Sequence, residues 1–136
     1  MTYVVRGLGK FGYHVAIGLA QQGEVVIAID HSEEKVKDIS EFVQDAIVLD
    51  SSDPKALLEA GIADADVAIV SIGENLEASI LTVMALKELK IPTVIAKAIT
   101  QVHGQILSKL GAAKVIYPEM ESAKKLVKKI VKNINK

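Results

Sequence analysis

The feature that most constrains this chain is a glycine-rich turn close to its start. A short apolar run is followed by Gly7, Gly9 and Gly12 in a G-x-G-x-x-G spacing. The first glycine suits a tight strand-to-helix turn, the second lets the backbone approach a pyrophosphate, and the third allows close packing of helix on strand. Free N–H groups at the helix start would hold the phosphates. The spacing predicts a nucleotide-binding βαβ unit, with an accidental glycine turn as the alternative.

An acidic residue supports the nucleotide interpretation. A second apolar run, residues 25–29, ends at Asp30, eighteen residues after Gly12. A carboxylate at the end of the second strand accepts ribose hydroxyls in dinucleotide-binding units. The alternative is that Asp30 simply caps the helix that follows it.

Apolar runs alternate with helical patterns through the rest of the chain. Strands are predicted at residues 3–6, 24–30, 46–49, 66–71, 93–98 and 114–117, and helices at 10–22, after Ser32, at 54–60, from 75, at 101–110 and from 119. This alternation predicts one α/β domain with a doubly wound, Rossmann-like parallel sheet of six strands in the order 3-2-1-4-5-6.

In such a sheet the ligand lies at the carboxyl ends of strands 1 and 4, where the strand order reverses. Four chain segments should meet there, and a lysine after strand 5 could neutralise phosphate. The predicted nucleotide-binding residues are Gly7, Leu8, Gly9, Lys10, Phe11, Gly12, Asp30, His31, Asp50, Ser51, Ser71, Ile72, Gly73, Asn75 and Lys97. Two of them have ordinary alternatives, because Asp50 lies in a turn where Asp is common and Lys97 could extend to solvent.

Composition excludes several classes of protein. With 136 residues the chain is too short for a Rossmann domain plus a catalytic domain, and a net charge of −1 gives no basis for nucleic-acid binding. Cysteine is absent, which removes disulfides and thiolate metal sites, and the three histidines share no ligand spacing. No apolar stretch reaches about eighteen residues and no signal peptide opens the chain. These features predict a soluble, cytoplasmic protein without direct membrane insertion.

Two helices are predicted to contact something besides their own sheet. The helix from Asn75 to Lys90 carries more apolar residues than one face can bury, and the last helix has a second apolar stripe. Exposed together they would exceed what soluble monomers tolerate, so the chain is expected to be at least a dimer.

Four runs of sequence resemble the RCK/KTN (TrkA-N) domain of bacterial Trk and Ktr potassium-uptake systems. They are Gly-Leu-Gly-Lys-Phe-Gly at 7–12, Ile-Gly-Glu-Asn-Leu-Glu-Ala-Ser at 72–79, Leu-Lys-Glu-Leu-Lys-Ile-Pro at 86–92 and Lys-Leu-Gly-Ala-Ala-Lys-Val-Ile-Tyr-Pro-Glu at 109–119. The resemblance covers essentially the whole chain and is closest to the KtrA type.

The resemblance implies a cytoplasmic regulatory subunit that performs no chemistry. Its dimers would assemble into a ring, an octamer, under a membrane-embedded potassium channel or transporter, and the bound nucleotide would set the shape of that ring. KtrA-like members bind ATP and ADP and TrkA-like members NAD(H), with AMP a further alternative. The glycine loop and Lys10 would face the phosphates, Asp30 the ribose, and Asp50-Ser51 the adenine. Glu119, after Pro118, would contact a divalent cation at the dimer interface, or else be only a first-turn acid of the last helix.

The chain departs from the family in three places. Lys10 stands where Arg is usual, which removes a planar guanidinium suited to phosphate. Arg6 ends a central strand where the family is apolar, and burial there is costly unless it reaches a phosphate or a carboxylate such as Asp30. The C-terminal lobe common in the family is missing, so 1–136 is read as one domain, either a single-domain member or a fragment.

Two other functions stay open at this point. A small NAD(P)-dependent oxidoreductase would need an acid or base beside the nicotinamide, and no tyrosine is followed four residues later by lysine. The second alternative function is a nucleotide-binding module that serves another partner.

Overall fold

The computed structural model describes residues 1–73 and 75–134. Six strands and six helices alternate along this part of the chain. The strands are β1 (Thr2–Arg6), β2 (Val25–Asp30), β3 (Asp45–Val48), β4 (Val67–Val70), β5 (Thr93–Lys97) and β6 (Lys114–Ile116), and the helices are α1 (Lys10–Gln21), α2 (Glu33–Ile39), α3 (Pro54–Glu59), α4 (Leu76–Glu88), α5 (Gln101–Lys109) and α6 (Pro118–Ile134). The predicted elements are all present, and their ends differ from the prediction by a residue or two, as frayed termini commonly do.

The strands form one parallel sheet in the order β3-β2-β1-β4-β5-β6, which confirms the predicted fold. Strand β1 is central, and its Val5 lies opposite Ala28 of β2 and Ile69 of β4. The chain winds from β1 outward to β3, then crosses through α3 to β4 on the other side of β1. The order therefore reverses between β1 and β4, and a crevice opens at their carboxyl ends.

Adjacent residues of β1 face opposite layers of the fold. Val4 belongs to a core shared with Leu57 of α3 and Leu86 of α4. Val5 belongs to the second core, with Ala16 of α1 and further residues of α2. Both valines are almost fully buried, as expected of a parallel strand covered on each side.

Side chains cap four of the helices at their first turn. Ser32, Asp53, Asn75 and Thr100 each accept a hydrogen bond from a backbone N–H of α2, α3, α4 and α5 respectively. Helix α1 differs, because its N-cap is Gly9 and no side chain accepts from its first turn. Its N–H groups are left for another partner.

The apolar helix surfaces that the sequence predicted are exposed in the single chain. Helix α4 leaves Leu76, Leu81 and Met84 on the surface. None of the residues Pro118–Ile134 is buried, although α6 carries an apolar stripe of Leu126, Val127, Ile130, Val131 and Ile134. Within the described residues, no helix combines the length and hydrophobicity needed to cross a membrane.

Candidate functional site

A cavity of about 1010 Å³ opens at the carboxyl ends of the strands, at the reversal point. The four predicted segments meet there, joined by Lys97 at the end of β5. Every residue of the predicted nucleotide set lines this cavity except Gly12 and Ser51, which lie behind its wall. The size suits a nucleotide and the position is where open α/β sheets bind ligands.

The glycine turn has the geometry that the spacing predicts. Gly7 has a φ of +99°, a conformation that side chains rarely adopt, and its N–H donates to the carbonyl oxygen of Ile29 at 2.9 Å. A Cβ on Gly12 would overlap the carbonyl oxygen of Gly7, so this glycine allows α1 to pack against the turn. A Cβ on Gly9 would meet no atom within 4 Å, and this residue borders the cavity. The turn therefore presents backbone to the space where phosphates are predicted.

Asp30 is fixed at the sugar end of the predicted site. Its Oδ2 accepts from the backbone nitrogen of Leu8 at 2.8 Å and its Oδ1 from that of Ser32 at 2.9 Å. Burial opposes ionisation of this carboxyl, but the two backbone hydrogen bonds, helped by the charge of Arg6, lower its pKa below the ordinary value. The N-cap of α2 is Ser32 and not Asp30. An ionised, oriented carboxylate is thus available to hydroxyl donors in the cavity.

Arg6 is buried beside this carboxylate. Its Nε donates a hydrogen bond to Oγ of Ser51, and its Nη1 lies 3.8 Å from Oδ2 of Asp30. Oγ of Ser51 lies 2.9 Å from Oγ1 of Thr82 in α4. Burial lowers the pKa of Arg6, while Asp30 and Asp50 oppose that shift, and guanidinium stays charged in proteins. Of the two partners left open by the sequence, the structure shows the carboxylate.

Two lysines, Lys10 and Lys97, line the cavity near α1. Lys10 is exposed in the first turn of α1. Nζ of Lys97 lies 5.9 Å from the centroid of the Phe11 ring and 3.8 Å from Oε1 of Glu119. Lys97 therefore packs against Phe11 and Glu119 and does not extend freely into solvent. Lysines beside the glycine turn and carboxylates beside β2 and β3 suit a ligand with phosphates at one end and hydroxyls at the other.

Asp50 and Ser71 complete the lining in different ways. Asp50 accepts from Oγ and the backbone nitrogen of Ser52, and these bonds lower its pKa. Ser71 Oγ is buried and has no hydrogen-bond partner among the described residues. A buried hydroxyl next to the glycine turn without a partner fits a site that receives a polar ligand.

The divalent-cation hypothesis receives no support from a single protomer. The Glu119 side chain is 81% exposed and its nearest charged neighbour is the ammonium of Lys97. Among residues 1–73 and 75–134 no three His, Cys, Asp or Glu side chains come together as metal ligands. One carboxylate is too few for a divalent cation, so the residues described here do not fit that ion.

The structure adds lining residues that sequence patterns did not single out. They are Lys35, Ser52, Glu77, Ala78 and Leu81. Most of them belong to α2 and α4, and helices that follow strands in this fold begin beside the ligand crevice. Counting the first turns of those two helices as part of the site would have found Lys35, Glu77 and Ala78, but not Ser52 or Leu81.

Comparison with known proteins agrees with this geometry. The TrkA-N domain family model matches residues 3–118. The chain is 40% identical over 131 residues to the Ktr system potassium uptake protein C of Bacillus subtilis, covering 96% of this chain and 59% of that protein. It is 36% identical over 128 residues to the Ktr system potassium uptake protein A of the same organism, covering 94% and 58%. The chain thus spans less than two thirds of the length of these relatives.

A solved structure shows the same fold at lower identity. The C-terminal domain of Kef from Shewanella denitrificans, in an AMP-bound form, superposes with a TM-score of 0.83 at 22% identity, covering 100% of this chain and 83% of that one. At that identity the likeness concerns the fold alone. From the family match and the Ktr identities together, we conclude that this chain belongs to the TrkA-N domain family.

Proposed function

We propose that this domain binds an adenine nucleotide and uses it to regulate a membrane-embedded potassium channel or transporter. The observation that carries the proposal is the cavity at the reversal point of the sheet, which both the Gly7 turn and the Asp30 carboxylate line. The similarity to Ktr potassium uptake proteins supports the transport role. Regulation would act from the inner face of the membrane, where nucleotides are available.

ATP or ADP is the proposed ligand, with NAD(H) and AMP as alternatives. Uncapped N–H groups of α1 suit the α- and β-phosphates of any of these, and Asp30 suits the ribose. Lys10 and Lys97 extend the positive charge beyond the turn, which favours a ligand with further phosphates. A cation contact at Glu119 would need ligands from the nucleotide or from a second copy.

We propose further that the domain is not an enzyme. Within the described residues no tyrosine lines the cavity, and the one histidine that does, His31, extends largely into solvent. Of the lysines and carboxylates that line it, we assign Lys10 and Lys97 to phosphate and Asp30 to ribose. An oxidoreductase needs a proton donor or acceptor held beside the reacting carbon. The alternative of a nucleotide-binding module for a different partner has the same site and differs in what it regulates.

Self-association is the proposed route from ligand to transporter. The exposed apolar residues of α4 and α6 form surfaces that a second copy of the chain would cover, in a dimer and then in an octameric ring. A ligand changes such an assembly only if it binds two arrangements with different affinity. ATP and ADP would thus differ chiefly in the ring shape that each favours.

The test is titration of the purified protein with ATP, ADP, AMP, NAD⁺ and NADH by calorimetry, with light scattering on each complex. We expect ATP and ADP to bind and the protein to scatter as a dimer or larger. Failure of all five ligands to bind would reject the nucleotide proposal. Turnover of NADH with loss of its absorbance would favour the oxidoreductase alternative.

A further inference from the structure

Arg6 lines the cavity but has no role in the nucleotide contacts proposed above. Its Nε is held by Ser51, while neither Nη nitrogen donates a hydrogen bond within residues 1–73 and 75–134. Arg6 is 6% exposed and lines the cavity, and the solvent it meets is therefore in the nucleotide site.

The guanidinium is held in one orientation by a short chain of hydroxyls. Because Nε of Arg6 donates to Ser51 Oγ, the hydrogen of Ser51 is free to donate to Thr82 Oγ1, 2.9 Å away. Ser51 and Thr82 are both buried. A side chain fixed in this way presents its remaining donors to a ligand with little loss of conformational entropy.

The separation between Arg6 and Asp30 selects the kind of group that can join them. Nη1 and Oδ2 are 3.8 Å apart, beyond hydrogen-bond length, yet one oxygen placed above them can reach both. Arg6 can only donate and the ionised Asp30 can only accept. A group that satisfies both must accept from one and donate to the other, which a hydroxyl does and a phosphate or an alkyl carbon does not.

We propose that Arg6 and Asp30 together bind one ribose hydroxyl of the nucleotide, which donates to Oδ2 of Asp30 and accepts from Nη1 of Arg6. The inference rests on the proposed function, since it assumes that the sugar lies at Asp30. Arg6 is then a specificity residue. It favours a free ribose hydroxyl over a sugar that lacks this group, which leaves both charged partners without their bond. It also favours the hydroxyl over a phosphorylated sugar, which can accept from Arg6 but leaves Asp30 without a donor.

The test compares ADP with 2′-deoxy-ADP and 3′-deoxy-ADP in wild type, Arg6→Met and Lys55→Met. Met has a similar length without charge. Removing one partner of a buried ion pair leaves Asp30 without its counter-charge and should destabilise the fold, so folding is checked first. Lys55 is exposed and lies outside the cavity, so its variant removes the same charge elsewhere. Thermal unfolding without ligand reports whether each variant folds. Arg6→Gln replaces Arg6→Met if the latter does not fold, because its shorter amide side chain can still donate to Ser51 but lacks the Nη nitrogens.

In wild type we expect the analogue that lacks the bridging hydroxyl to bind about tenfold to a hundredfold more weakly than ADP, as loss of hydrogen bonds to charged groups does. Arg6→Met should lower the affinity for ADP about tenfold and the affinity for that analogue less than twofold. The preference for ADP over the analogue should therefore shrink. Lys55→Met should keep the preference. Equal weakening of all three ligands by Arg6→Met would overturn the inference while leaving the nucleotide proposal intact. Absence of ADP binding in wild type would overturn both.

Discussion

The backbone nitrogen of Leu8 donates a 2.8 Å hydrogen bond to Oδ2 of Asp30, which ties the glycine turn to the end of β2. The residue proposed to hold the ribose thereby also holds the loop proposed to hold the phosphates. Both ends of the site depend on one carboxylate, and a change at Asp30 should affect the whole ligand.

Asp30→Ala is predicted to lower the affinity for ADP and ATP by roughly tenfold to a hundredfold, about 1–3 kcal/mol, because hydrogen bonds to the ribose are lost. Calorimetric titration measures it. Asp38→Ala is the control, since Asp38 is exposed on α2 and does not line the cavity. Equal affinities in Asp30→Ala and wild type would reject the ribose assignment.

The two glycines of α1 should respond oppositely to alanine. Gly12→Ala would drive a methyl group into the carbonyl oxygen of Gly7 and should destabilise the fold by about 1–3 kcal/mol. Gly18→Ala meets no atom within 4 Å and should stabilise the helix by about 0.5–1 kcal/mol. Urea unfolding of both variants measures the difference. A Gly12→Ala protein as stable as wild type would show that the turn is not packed as described.

Lys10 is predicted to discriminate ATP from ADP weakly. An exposed lysine contributes about 0.2–1 kcal/mol to a phosphate contact, so the two affinities should lie within roughly tenfold. Lys10→Ala should lower the affinity for ATP more than the affinity for ADP, and Lys10→Arg should increase the preference for ATP over ADP. Titrations at two salt concentrations check this, because screening weakens an exposed pair. An equal loss for both nucleotides would make Lys10 a general phosphate contact.

Self-association is predicted to depend on the apolar stripe of α6. Ile130→Gln should raise the dimer dissociation constant at least tenfold, because two copies each lose about 1.5–3 kcal/mol of apolar burial. Lys128→Gln introduces the same side chain beside it and should leave the mass unchanged. Light scattering across a dilution series measures both. A wild type that is monomeric at micromolar concentration with nucleotide present would contradict the prediction.

His103 should make stability fall in mild acid. It is buried, with Nδ1 accepting from the backbone nitrogen of Ile99 at 3.2 Å and Nε2 lying 3.2 Å from Ser79 Oγ. Burial lowers its pKa in the folded state below 6.5, so the unfolded chain takes up a proton first as pH falls. Its neutral form favours folding fully above pH 6.5, and that contribution declines below it.

The measurement is the free energy of unfolding in urea between pH 7.5 and 5.5, for wild type and His103→Gln. Wild type should lose up to about 1.4 kcal/mol per pH unit more than the variant. Parallel pH profiles for the two proteins would show that His103 does not titrate differently on folding.

The sequence by itself determined the fold and the position of the cavity that forms the candidate site. Glycine spacing, continuous apolar strands and helix caps are local signals, and each acts within a few residues. They were enough to predict the strand order and the convergence of Gly7, Asp30, Asp50 and Ser71, because the reversal point of a doubly wound sheet follows from the order of its elements.

The tertiary structure alone decided how side chains distant in sequence face one another. Ser51, predicted on the adenine side, turns inward to Arg6 and Thr82, and Nζ of Lys97 lies 3.8 Å from Oε1 of Glu119. No local pattern contains these pairs, since they depend on the angle and depth at which α4 and α6 pack on the sheet. The sequence left a phosphate and a carboxylate open as partners of Arg6, and the register of β1 against β2 places its guanidinium beside the carboxylate of Asp30.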